Sequence, residues 1–267
     1  MKKELFIFTF ATGRYTIYTD LWQFVLEKSY PEYRGMVFTI KPSNPAAHGW
    51  PQYYGACVRY LYEPPLATID QGEGGSPGFD YCYITDIDMM IMRENPTLLD
   101  FHLAEMKETG LCYSNCIRGG GEEDGANRLT GLHFVNRQWW NDTRVVRDRY
   151  LMALKKGSFG HIAIDDERML MKIVKESGLG IVPRRTLIVR HHGIHLGTFR
   201  AKKTATIQER KRAARIRITA DYARQWQEIV STPEYVKMYE DIKTKDREAA
   251  YELYEADKFT KQRVKER

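Results

Sequence analysis

The chain has 267 residues, 43% hydrophobic, 12% aromatic and 28% charged, a balance that suits one large globular domain with an appendage and excludes global disorder. Its mean hydropathy is −0.53, and no apolar run approaches the ~20 residues that a membrane-spanning helix requires. The net charge of +6 is local: Phe199 to Arg217 carries eight Lys/Arg and one acid, a segment charge of +7 that leaves the remainder near −1. This is a near-neutral domain with one basic stretch, not a uniformly basic nucleic-acid coat. The opening segment, apolar only from Leu5 to Ala11 and then broken by Gly13 and Arg14, reads as a buried first strand rather than a secretory leader. Four scattered cysteines (Cys57, Cys82, Cys112, Cys116) argue against a disulfide scaffold and for a reducing cytoplasm, and Cys112-x₃-Cys116 is poor zinc spacing.

In chain order, residues 5–11 form the first strand and Asp20 to Lys28 a helix capped by Asp20. Met36 to Ile40 is a second strand, closed by the Pro-rich run 41–51, and Tyr53 to Tyr62 has helical spacing. A glycine loop at 71–78 leads to a strand from Phe79 to Thr85. A helix from Pro96 to Thr109, a strand around Cys112 and a second glycine loop at 118–125 follow, the loop read as a lid over a site or a surface connection. Leu132 to Val135 is strand-like, Arg144 to Leu154 and Asp166 to Glu176 are helices, and Leu187 to Val189 is the last strand. From Thr206 to Lys261 the pattern is helical, broken near Ser231–Pro233. Strands alternating with helices before a helical tail predict an α/β domain over residues 1–200 and a basic helical region over 201–267.

The chemistry concentrates at Thr85-Asp86-Ile87-Asp88, the expected end of a buried strand. Alternation places Asp86 and Asp88 on one side with Ile87 turned inward. Two carboxylates this close repel, and a divalent cation such as Mg²⁺ or Mn²⁺ resolves the conflict with hard oxygen ligands. Ligands of open α/β sheets bind at such strand ends. Asp165, Asp166 and Glu167 open a helix, where acids also serve simply as caps. His191, His192 and His195 lie among glycines just before Arg200, a composition that suits a metal or phosphate site.

Together, an Arg59-bearing helix, the strand Y-I-T-D-I-D, the acidic helix start and the late His/Gly segment resemble the metal-dependent GT-A glycosyltransferases over residues 4–200. The pattern is similar to the retaining glycogenin-like and lipopolysaccharide galactosyltransferase-like group. The resemblance implies a mixed central sheet flanked by helices, a C-terminal helical appendage and a nucleotide-sugar donor, commonly UDP-linked. It implies that Thr9, Phe10, Ala11 and Tyr15 hold the nucleoside, that Arg59 meets the donor phosphates or sugar, and that Asp86 and Asp88 bind metal and donor. The family's H-x-x-G-x-K-P signature is replaced here by H-H-G-I-H-L-G, so His195 or His192 completes the metal shell and Arg200 or Lys202 takes the phosphate role. Asp166, with Asp165 or Glu167 as neighbours one register away, is the candidate carboxylate beside the oxocarbenium-like sugar. Gly131 and His133 would face the sugar, with Trp139 and Trp140 stacking on it or filling the core.

The expected acceptor is a saccharide or lipid-linked saccharide, with residues 199–217 docking on an anionic membrane surface. A modified DNA base is the alternative acceptor if the same stretch tracks nucleic acid. A metal-dependent phosphoryl-transfer or nuclease-like enzyme is the rival chemistry, and a non-catalytic binding module the third class. The expected setting is cytoplasmic, peripheral to the membrane in the lipid-acceptor case, and the helical tail suits a homodimer.

Overall fold

The computed structural model describes residues 4–40, 54–64, 79–118, 127–156, 165–183, 185–186, 190–200, 209 and 214–266. The elements begin with β1 (Leu5–Thr12), a 3₁₀ turn (Gly13–Tyr18), α1 (Thr19–Ser29), β2 (Arg34–Ile40), α2 (Tyr54–Leu61), β3 (Tyr81–Ile84) and β4 (Met89–Ile91). Next come α3 (Leu98–Thr109), β5 (Tyr113–Ser114), β6 (Ile117–Arg118), β7 (Arg128–Leu129), β8 (His133–Asn136), α4 (Arg137–Lys155) and α5 (Asp166–Glu176). The chain continues with β9 (Arg185–Thr186), β10 (Gly193–His195), a 3₁₀ turn (Leu196–Thr198), α6 (Ala220–Val230), α7 (Pro233–Lys245) and α8 (Arg247–Lys265). The expected α/β class, with a mixed central sheet, flanking helices and C-terminal helices, is the observed one. The loops read at 41–51 and 71–78, nearly all of that at 118–125, the strand at 187–189 and most of the basic stretch lie outside the described residues.

Two compact units are interleaved along the chain. The first comprises Met1–Thr12, Phe38–Asp86 and Leu99–Val189; the second comprises Gly13–Val37, Ile87–Leu98 and Arg190–Arg267.

The first unit is built on a five-stranded sheet of order β2-β1-β3-β8-β5. β1 is apolar on both faces and runs parallel to β3, with Leu5 opposite Tyr81 and Phe8 opposite Ile84. Such a continuous apolar run belongs inside a sheet covered on both sides. β8 runs antiparallel to both β3 and β5. α4 begins at Arg137, seven residues before the expected start. The Asn136 side chain caps it by accepting from Trp139 N at 3.2 Å, and both tryptophans are carried into the core. Trp140 packs on Phe8 with ring centroids 6.3 Å apart. A small sheet of order β7-β6-β9 completes the unit.

The second unit holds a two-stranded antiparallel ladder that the sequence pattern does not announce, β4 with β10, pairing Met89 with His195 and Ile91 with Gly193. Gly193 has φ +155°, and a Cβ there would lie 2.0 Å from the Met90 carbonyl oxygen. The strands approach more closely than any side chain permits. Gly193→Ala is expected to destabilise the protein by about 2–3 kcal/mol, read as a lower urea midpoint at constant slope. α1 starts one residue before Asp20, which lies in the first turn rather than at the cap, where its charge still suits the helix dipole. α6, α7 and α8 are each capped by a side chain: Thr219, Thr232 and Asp246. Among the described residues the tail therefore breaks at Ser231–Thr232 as expected, and also at Ile218–Thr219 and at Asp246. No helix among the described residues is long and apolar enough to cross a membrane, and none of the four cysteines forms a disulfide.

Candidate functional site

In the second unit the chain turns at Ile87–Asp88 before entering β4. Leu196 N donates to the Asp88 carbonyl at 2.8 Å, pinning this turn to the end of β10. The Asp88 side chain is buried, with Oδ1 3.2 Å from His195 Nε2 and Oδ2 accepting from Arg200 at 2.9 Å. Burial alone would raise its pKa, but His195 and Arg200 outweigh burial and hold the carboxyl well below the usual range. Arg200 is itself anchored, donating through Nε to Glu252 of α8 at 2.8 Å, with its guanidinium 5.3 Å from the Tyr15 ring. Burial opposes the charge on Arg200, yet Glu252 and Asp88 raise its pKa. Glu252 is 1% exposed and also accepts from Tyr18 Oη at 2.9 Å. A Cβ at Gly197 would meet His195 Nε2 at 2.8 Å and Asp88 Oδ2 at 2.9 Å, so the space beside this pair exists because residue 197 has no side chain. Within the second unit Asp88 and His195 bring a carboxylate and an imidazole together, donors of the kind a divalent cation takes, and Asp86 lies two residues upstream in the sequence.

The first unit holds a second charged cluster. Arg59, 3% exposed on α2, donates to Asp86 and, at 2.7 Å, to Asp166 Oδ2. Burial would lower its pKa, but Asp86, Tyr60 and Asp166 raise it well above the usual value. β3 stops at Ile84, so Asp86 follows the strand instead of extending it, and Ile87 is buried as expected. Tyr60 Oη donates to the Gly131 carbonyl at 2.6 Å. A Cβ on Gly131 would lie 2.8 Å from an Arg59 nitrogen and 3.6 Å from Asp86 Oδ2, which places this glycine against the cluster. Asp165 is the cap of α5, accepting from Arg168 N at 2.7 Å, while Asp166 opens the helix. Glu167 takes Arg118 at 2.9 Å and Arg128 at 2.6 Å. Its pKa is raised by burial, with Asp166 adding and the two arginines opposing.

His133 is fully buried on β8, its Nδ1 2.9 Å from Asn115 Nδ2. Burial, with Arg59 nearby, pushes its pKa down to about 3. The ring is therefore neutral in the folded protein at physiological pH. An unfolded His takes a proton below about pH 6.5 while the folded one refuses it, so stability falls as pH drops from about 6.5 toward 3. The expected slope for this group reaches about 1.4 kcal/mol per pH unit. Urea midpoints of wild type and His133→Gln across that window should diverge, the variant lacking this component.

The remaining expected residues scatter. Thr9 and Ala11 are fully buried in β1, and Phe10 stacks on Phe38 at 5.0 Å. His192, with φ +52°, bonds Glu94 at 2.9 Å, at the end of the β4–β10 ladder away from Asp88 and His195. Lys202 lies outside the described residues. Sequence reading missed Glu94 and Glu252, both buried acceptors in the second unit. Neither belongs to a motif; the one available signal was an acid inside an apolar helical face at Glu252.

No family model matches the sequence, and no curated protein matches it. Among solved structures, the chain is similar to a glycosyltransferase involved in glycosylation of the major capsid of PBCV-1. The TM-score is 0.42 at 11% identity, covering 68% of this chain and 79% of that one. It is also similar to the glycosyltransferase GlyE of Streptococcus pneumoniae TIGR4, with TM-score 0.41 and 13% identity over 66% of this chain and 44% of that one.

Proposed function

We propose that the protein is a glycosyltransferase that moves a sugar from a nucleotide-sugar donor, UDP-linked by the resemblance of its motifs, to a saccharide or lipid-linked acceptor. The observation that carries the reading is Asp88: a buried carboxylate kept ionised, faced by an imidazole and an arginine, with a glycine leaving room beside it. Mn²⁺ or Mg²⁺ held by Asp86, Asp88 and His195 would neutralise the donor's diphosphate and stabilise the charge that develops on the leaving group. Arg200 supplies a fixed cation for the same diphosphate, and its anchoring to Glu252 removes the entropy of positioning it. Asp166 is the carboxylate assigned to the electron-poor sugar, with Arg59 donating to it at 2.7 Å and orienting it. Phe10 and Tyr15 are assigned to the nucleoside and Gly131 to the donor sugar, whereas Thr9, Ala11 and His133, fully buried, are assigned supporting positions without direct contact to the donor. Residues 1–200 would be the catalytic part and 201–267 the basic helical part.

The test is a thermal-shift panel of UDP-, GDP-, CMP- and dTDP-sugars with and without Mn²⁺, followed by nucleotide release from the best ligand. Stabilisation by one nucleotide class only when Mn²⁺ is present is the expected result. Phosphodiester cleavage with no response to any nucleotide sugar would favour the phosphoryl-transfer chemistry instead.

A further inference from the structure

α8 buries one face and leaves the opposite one open along its whole length. Ala249, Leu253, Ala256 and Thr260 turn inward, and Gln227 of α6 donates to Asp257 Oδ1 and Thr260 Oγ1, both at 2.8 Å. On the outer face six exposed residues follow one another at intervals of four, three, four, three and four: Arg247, Tyr251, Tyr254, Lys258, Lys261 and Lys265. At 3.6 residues per turn these intervals keep the six in one row about 27 Å long. The two tyrosines are 41% and 51% exposed, and Lys258 Nζ lies 5.9 Å from the centroid of the Tyr254 ring.

The charge of this row is not matched within the fold. Among the described residues, the ion pairs of α8 run through Glu248, Glu252, Arg263 and, at its C-terminal cap, Glu266. None involves Arg247, Lys258, Lys261 or Lys265. Beside the row, Glu248 is taken by Arg14 and Asp257 is turned to Gln227, which leaves the partly exposed Glu255 as the other flanking acid against four cations. Arg215 donates to Glu266 at 2.8 Å, joining the segment that carries Ile216, 54% exposed, to the end of the row.

From this arrangement we infer that α8 docks the protein on an anionic lipid surface, with the row facing the phospholipid headgroups. A straight row matches a plane, four cations on one helix face attract acidic headgroups, and tyrosine rings suit the level where hydrocarbon meets water. Nucleic acid fits the row less well. A helix that reads the major groove presents Arg, Asn or Gln to the bases, whereas the centre here is Tyr254 and Lys258. A single strand needs open aromatic faces along a groove, whereas Tyr254 already carries Lys258 and the row stands on a convex helix. The row shares no residue with the Asp88 cluster, so lipid binding holds or fails independently of the donor chemistry.

The test is co-sedimentation of the full chain with vesicles of phosphatidylcholine alone and of phosphatidylcholine mixed with phosphatidylglycerol in equal parts. The mixed vesicles should bind at least about tenfold more tightly at low ionic strength, and the gap should close as salt is added. Lys258→Gln with Lys261→Gln should weaken binding to them about 25-fold, about fivefold for each lysine, with the thermal midpoint unchanged. Lys243→Gln with Lys245→Gln removes the same charge from α7, where Glu240 and Asp241 already hold both lysines, and should bind as wild type does. Equal binding to the two vesicle types, equal losses from both pairs of substitutions, or no loss from the α8 pair would overturn the inference. A protein that binds duplex DNA through these lysines and ignores the mixed vesicles would overturn it as well.

Discussion

Asp88→Asn should lower nucleotide-sugar turnover by about 10²- to 10³-fold, with the fold retained by circular dichroism. The substitution keeps the shape of the side chain but removes its charge. Arg200 and His195 then face an amide, one half of which is itself a donor, so at least one of the contacts at 2.9 and 3.2 Å loses its acceptor. The Mn²⁺-dependent thermal shift should vanish with the activity, because a neutral amide is a poor ligand for a hard cation. Retention of both activity and metal response in Asp88→Asn would remove the basis of the transferase reading.

Arg59→Met is the substitution with the largest expected cost in stability, about 3–5 kcal/mol. Methionine matches the length of the arginine stem, so packing on α2 is largely kept. What is lost is the cation between Asp86 and Asp166, leaving two carboxylates at one place without their common partner. Arg59→Lys should recover only part of the loss, since an ammonium lacks the planar fork that reaches two carboxylates at once. Combining Arg59→Met with Asp166→Asn should cost less than the separate effects added together, and denaturation of the four proteins measures that coupling. Additive losses would mean that Arg59 acts through packing and not through charge.

Much of the first unit was legible in the sequence because its elements carry strong local signals. β1 is an apolar run interrupted only by Thr9 before its end at Thr12, α2 and α5 have clear helical spacing, and β3 is compact and aromatic. The start of α4 was missed because Arg-Gln-Trp-Trp reads as aromatic strand or pocket; the signal lay one residue earlier, in the Asn136 cap. β4 and β10 were invisible for a different reason. Each is three residues long, and their pairing joins residues about a hundred positions apart, which no periodicity encodes. Asp86 and Asp88 stood out by spacing alone, but their arginine partners could not be assigned from order along the chain. The same holds for Glu94 and Glu252, whose roles exist only after distant segments meet.

Glu252 carries a consequence for biosynthesis. It bonds Tyr18, 234 positions earlier, and Arg200, which in turn holds Asp88. A nascent chain must therefore emerge from the ribosome past residue 252 before the aspartate at position 88 acquires its full complement of neighbours. Ribosome-stalled fragments ending inside α7 would contain every residue of the proposed donor machinery and still lack the clasp that sets Arg200, so catalytic competence should arrive late in translation and abruptly.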